Sequence, residues 1–134
     1  MQNIVILAGN IGQDPETRTT QGARTKITHF TLATSRPRYS DGQVLRDEKG
    51  YRVQDTEWHR ITCFNGLGKT VQQHCGKGMK VMVRGRIHYT KWTDAAGVDR
   101  YGCEIIAEQV DFLSRAKATE NDDGKFIDDD DIPL

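Results

Sequence analysis

Apolar and polar residues alternate with a period of two over several stretches of this chain. That is the pattern of β-strands with one buried face. Asn3–Ile11 is rich in Ile and Val and is ended by Gly12 and the turn Gln13-Asp14-Pro15. Thr17–Thr20 is β-prone, and Gln21-Gly22 marks a tight turn. Across Lys26–Thr34, Phe30, Leu32 and Thr34 fall on one face, while Ile27 is out of phase and predicts a bulge. In Thr56–Phe64, Glu57, His59, Ile61 and Cys63 share one face, and Trp58, Arg60, Thr62 and Phe64 share the other. Alternation then stops. Asn65 is placed to cap a short helix through Leu67, Val71 and Cys75, closed by Gly76-Lys77-Gly78. Met79–Tyr89 alternates again, with Met79, Val81, Val83, Ile87 and Tyr89 set against Lys80, Met82, Arg84, Arg86 and His88. After a hairpin turn at Asp94–Gly97, Arg100–Leu113 reads as a last strand whose apolar members include Tyr101, Cys103, Ile105, Val110 and Phe112.

The order is three strand regions, a short helix, then two strands. This predicts an all-β fold, a five-stranded Greek-key barrel of the OB type with its helix between strands 3 and 4. The polar segment Ser35–Asp55 carries Arg36, Arg38, Arg46, Lys49 and Arg52 with Tyr39 and Tyr51. A segment of this length is either a functional loop or a protruding hairpin. With 134 residues the chain supports one packed domain. A hydrophobic content of 36% and a mean hydropathy of −0.67 leave part of it outside the core.

Charge divides the chain further. Residues 1–114 hold 16 basic and 12 acidic residues, a surplus of four positive charges, whereas residues 115–134 hold 3 and 7, a surplus of four negative ones. The formal net charge of zero conceals this split. It implies a polyanion-binding body, 1–114, a short flexible linker, 115–127, and an acidic tail, 128–134. Four consecutive carboxylates, Asp128, Asp129, Asp130 and Asp131, cannot lie against a core, so the tail is expected to be disordered. It ends in Ile132, Pro133 and Leu134, an acidic run with an apolar terminus, suited to a basic-rimmed hydrophobic pocket on a partner protein. A merely solubilising tail is the alternative.

Candidate chemistry concentrates on aromatics beside cations. Trp58 and Phe64 flank Arg60 on one strand face, and Trp92 follows Lys91 near a hairpin tip. Such a platform stacks bases while its cations neutralise phosphates; alternatively, Trp58 and Phe64 pack beneath a loop. Metal binding is not expected: His59 and Cys63 at i, i+4 diverge on a strand, and His74, Cys75 and Cys103 show no ligand spacing. No nucleophile–base constellation and no phosphate-binding GxxxxGK[ST] loop occur, so neither enzymatic activity nor a cofactor is expected. Three cysteines without CxxC spacing point to a reducing compartment. The N-terminal apolar run Ile4–Ala8 is too short for a signal core or a membrane span. A soluble, cytoplasmic protein is expected.

These motifs together resemble the bacterial-type single-stranded DNA-binding protein family. The resemblance rests on Asn3-Ile4-Val5-Ile6-Leu7, on Gly9-Asn10-Ile11-Gly12-Gln13-Asp14-Pro15-Glu16, and on Leu32-Ala33-Thr34-Ser35. Thr56-Glu57-Trp58-His59-Arg60, Lys91-Trp92-Thr93-Asp94, Asp99-Arg100-Tyr101 and the Asp128–Leu134 terminus complete it. The resemblance implies an OB-fold homo-oligomer, usually a tetramer, that wraps single-stranded DNA without sequence preference during replication, recombination and repair. It implies base stacking by Trp58, Phe64 and Trp92, backbone contacts by Lys77 and Lys91, and a subunit-interface role for His59. Arg60, Arg84 and Arg86 are further candidates for the backbone. The acidic tail is implied to recruit replication, recombination and repair proteins. Where the family commonly has another stacking Trp, this chain has Arg36-Pro37-Arg38-Tyr39, so Tyr39 or the Arg38 guanidinium is the candidate there. Leu134 replaces a usual terminal Phe, and the linker lacks the long Gly/Gln/Pro-rich character often seen; both fit a plasmid, phage or mobile-element version. The alternative is a primosome-type OB interaction module for which nucleic acid is incidental.

Overall fold

The structure is a computed structural model that describes residues 1–22 and 24–114. The expected linker and acidic tail lie outside the described residues. In chain order the elements are β1 (Val5–Ile11), β2 (Glu16–Thr19), β3 (Lys26–Pro37), β4 (Tyr39–Ser40), β5 (Gln43–Val44), β6 (Gln54–Phe64), α1 (Asn65–His74), β7 (Lys80–Thr93) and β8 (Asp99–Phe112). Five of the strands close a barrel in the order β1-β7-β8-β6-β3, and β3 returns to β1 through Asn10↔Ala33 and Ile11↔Leu32. The β6–β8 pairing is parallel and the others are antiparallel. With one helix between the third and fourth barrel strands, this is the predicted OB topology. Closure needs a close backbone approach, since a Cβ on Gly9 would collide with the carbonyl of Ala33.

The barrel interior is filled by Ile11, Phe30, Leu32, Ile61, Cys63, Val81, Val83, Ile105 and Ala107, each from the inward register of its strand. α1 covers one end through Val71, with Cys75 and Met79 beyond it. Cys63 and Cys75 are core residues. Burial, and secondarily the neighbouring Cys75, pushes the Cys63 thiol up to about 12. Asn65 does not cap the helix with its side chain. Its Oδ1 instead accepts the Lys26 N–H at 3.2 Å, and its φ of 50° makes the corner between strand and helix.

The predicted bulge at Ile27 is absent. β3 and β6 pair without interruption from Ile27↔Phe64 to Pro37↔Gln54. The inward position beside Ile27 is taken by Thr28, which is fully buried and hydrogen bonded to Thr17 (2.8 Å between hydroxyls). A polar residue thus holds the core register, and Ile27 lies on the outer face. The irregularity falls instead between β7 and β8, where Arg84 faces Gln109 and Gly85 faces Ala107, leaving Glu108 as the extra residue.

Two segments protrude. Ser35–Asp55 forms a hairpin extension: β3 and β6 remain paired to Pro37↔Gln54, β4 and β5 turn at Asp41-Gly42, and Arg46 bridges Arg52. Both turn residues have positive φ (52° and 76°), as a two-residue hairpin of this twist requires. β7 and β8 stay paired to Thr93↔Asp99, far beyond the last core pair, Ile87↔Ile105. Tyr89, Tyr101 and Cys103 are among the apolar members of these two strands. They are exposed, because no further strand among the described residues covers that face of the arm.

Candidate nucleic-acid interface

The period-two register of β6 turns Trp58, Arg60, Thr62 and Phe64 outward. Antiparallel pairing sets them opposite Ala33, Thr31, His29 and Ile27 of β3. Trp58 is 65% exposed, Trp92 51% and Phe64 39%, too open for any of the three to be core. Both indoles rest on glycine. A Cβ at Gly12 would stand 2.5 Å from Cζ3 of Trp58, and one at Gly102 would stand 3.0 Å from Cζ3 of Trp92. Each ring therefore lies against backbone at the glycine and leaves much of its surface exposed. Trp58 borders a groove with Ala8, Asn10, Ala33, Thr56 and Lys80. Trp92 borders a second recess with Thr90, Gly102, Glu104 and Arg60, and Arg60 shares the outward register of β6 with Trp58.

Cations surround this face unevenly. Arg84 and Arg86 are exposed on β7, in the same outward register as Trp92. Lys91 is not: adjacent strand residues point to opposite faces, so it parts from Trp92 and joins Tyr101. Its Nζ lies 5.7 Å from the Tyr101 ring centroid and 3.5 Å from Asp99. Tyr101, 71% exposed, makes with Lys91 a further aromatic–cation pair, which the apolar pattern of the strand does not single out. Lys77 is exposed in the turn after α1, where its backbone N–H donates to Asp14 (2.8 Å). Tyr39 is exposed on the hairpin extension. Arg38 beside it donates from Nε and Nη2 to one oxygen of Asp55 (2.8 and 2.6 Å). This hydrogen bond holds the Asp55 carboxyl below its ordinary range and raises Arg38. At the tip of the β7–β8 arm, Asp94 accepts the N–H groups of Ala96 and Val98 and the Arg100 Nε–H. The Val98 bond foremost, then Arg100, holds Asp94 low. His59 faces away from Trp58, with Nε2 2.8 Å from the Thr34 hydroxyl.

Strand phase gave no sign of one further group on the outer face. Thr62 donates its hydroxyl to Glu104 of β8 (2.7 Å), and His29 Nδ1 lies 3.2 Å from the same hydroxyl. Burial, then the charge of Arg60, lowers the His29 pKa from its ordinary value of 6.5. These three residues lie 33 and 42 positions apart, and no local spacing reports such pairing. Among the described residues, no group of three or more His, Cys, Asp or Glu side chains could hold a metal ion. No helix among them is long and apolar enough to cross a membrane.

Outward aromatics on glycine beds, set among arginines on a barrel wall, describe a surface for a stacked, anionic chain. Residues 2–113 match the model of the single-strand binding protein family. The chain belongs to this family. It is 39% identical over 111 residues to a single-stranded DNA-binding protein of Xanthomonas campestris pv. campestris, covering 83% of this chain and 60% of that protein. It is 42% identical over 108 residues to the protein of that name from Rhizobium meliloti, covering 79% and 58%. The chain thus spans about three fifths of the length of the curated relatives it matches. A solved structure described as a Plasmodium falciparum SSB complex with ssDNA superposes with a TM-score of 0.71 at 24% identity, covering 85% of this chain and 96% of that one. The likeness carries the family's OB barrel across a wide sequence distance.

Proposed function

We propose that this protein binds and protects single-stranded DNA without sequence preference. The observation that carries the reading is the outward trio Trp58, Phe64 and Trp92, with Arg60 between them. Any base offers a face to these rings, so stacking tolerates sequence, and each stacked base contributes about 1–3 kcal/mol. Arg84, Arg86 and Lys77 neutralise backbone phosphate around that track. Lys91 and Tyr101 extend it to the far side of the β7–β8 arm, and Tyr39 with Arg38 engages the strand from the hairpin extension.

The working unit is a homo-oligomer, a tetramer in the form this family suggests. β1 pairs with β3 only at Asn10 and Ile11, so residues 5–8 have no strand paired to them on that side among the described residues. Ile4 and Ile6 there are 61% and 60% exposed, an apolar edge suited to a second subunit. His59 belongs to that contact. The 1–114 body holds the DNA, 115–127 is a linker, and Asp128–Leu134 recruits replication, recombination and repair proteins through its acidic and apolar character.

Titration with poly-dT tests the central reading. Tryptophan emission is expected to fall on binding, affinity to decline steeply with salt, and poly-dA or poly-dC to bind comparably. Replacing both Trp58 and Trp92 by Ala is expected to weaken binding by at least tenfold. Tight binding that leaves both the emission and the double variant's affinity unchanged would refute it.

A further inference from the structure

His29, Thr62 and Glu104 lie within the outer face and are absorbed neither by stacking nor by the arginine contacts. Resting on the single-strand reading above, we propose that His29 is a phosphate contact that takes up one proton from solution when a strand occupies this face.

The polarity of the relay sets the chemistry. The Thr62 hydroxyl has one proton and donates it to the Glu104 carboxylate, so toward His29 it can only accept. His29 therefore carries its proton on Nδ1. In the neutral ring Nε2 is then a bare lone pair, and among the described residues no hydrogen bond engages it. A phosphate oxygen beside that lone pair is repelled. Protonation turns Nε2 into a charged N–H donor and leaves the Nδ1–H···Oγ bond unchanged, so the ring need not move.

The surroundings favour the neutral ring until an anion arrives. From β2, Arg18 opposes the imidazolium and Glu16, directly opposite His29, favours it. From β6, Arg60 opposes it; from β8, Glu104 favours it, with His88 of β7 opposite Glu104. The helix lies against the inner register of β3, where Gly68 meets Thr28, and presents no charge to His29. Burial adds to the two arginines and holds the ring neutral near pH 7. A phosphodiester laid along Arg60 offsets the arginine charge, which raises the bound-state pKa. The sign follows: affinity rises as pH falls through the gap between bound and free pKa values, and levels off below the free one.

The test is calorimetry of the full chain with poly-dT near pH 6, in two buffers of different ionisation enthalpy, alongside affinities at about pH 7.5 and about pH 5.5. Wild type is expected to take up more protons than His29→Asn, by as much as one per binding face. Its affinity should gain about three- to tenfold more on acidification, one proton giving at most about tenfold per pH unit. Asn keeps an N–H for Thr62 but cannot titrate. His29→Arg, a permanent cation, is expected to bind tightly at both pH values with uptake as low as in Asn. His59, His74 and His88 remain in all three proteins and cancel from the comparison. Equal proton uptake by wild type and both variants overturns this inference while single-strand binding stands. Failure of wild type to bind poly-dT at either pH overturns both.

Discussion

Two glycines bear on this surface as much as the rings above them. Gly12 has no positive-φ backbone to explain it; what it provides is space beneath Trp58. In Gly12→Ala the new methyl would stand 2.5 Å from Cζ3 of Trp58 and 2.7 Å from the Thr31 hydroxyl, so the indole must swing off its bed. Trp58 is mostly exposed, so the fold loses little, whereas the stacking position is lost. The expected result is poly-dT binding weakened by up to one stacked base, about 1–3 kcal/mol, with the melting temperature nearly unchanged. Fluorescence titration beside a thermal melt checks it, and unaltered affinity would show that the ring does not need this floor. The sequence made the rings legible, since an aromatic–cation–aromatic alternation on one strand is a local pattern. It did not make their floors legible. Gly12 reads as the end of a strand, and Gly102 lies ten residues from the indole it supports.

Among the elements, strand order and the single helix could be read from periodicity because each barrel strand has one buried face. The same rule failed wherever an element outran the barrel or a polar group entered the core. Tyr89 and Tyr101 continue the apolar phase of their strands into an arm that has no core beneath it among the described residues. Thr28 enters the core as a polar residue, satisfied by Thr17, so Ile27 looked like the displaced one. Thr28 also fixes how close the helix approaches. A Cβ on Gly68 would overlap its hydroxyl and stand 3.3 Å from the Cys63 carbonyl. Helix propensity alone predicts that Gly68→Ala stabilises, by about 1 kcal/mol. Overpacking opposes this by about 1–3 kcal/mol, and the buried strand backbone at Cys63 cannot yield cheaply. Net destabilisation of about 1 kcal/mol is therefore expected, read as a lower urea midpoint at unchanged slope. A raised midpoint would mean that α1 shifts freely on the barrel.

At the scale of the whole molecule the dominant feature is a division of charge, four positive in excess over 1–114 and four negative over 115–134. On the reading proposed above, two polyanions, one covalently attached, would compete for the same arginines. The attached one has the advantage of high local concentration and the disadvantage of few charges. Removing Asp128–Leu134 deletes four carboxylates and should strengthen poly-dT binding several-fold at low ionic strength. The gain should shrink as salt rises, because the screening length falls from about 30 Å at 0.01 M to about 3 Å at 1 M. Changing Asp128, Asp129, Asp130 and Asp131 to Asn separates charge from apolar character, since Ile132, Pro133 and Leu134 remain. If competition is electrostatic, the Asn variant reproduces the truncation in both size and salt dependence. Should truncation strengthen binding while the Asn variant does not, the apolar terminus would be the group occupying the DNA face. Loss of affinity on truncation would instead make the tail part of the binding surface, and the charge division would need another explanation.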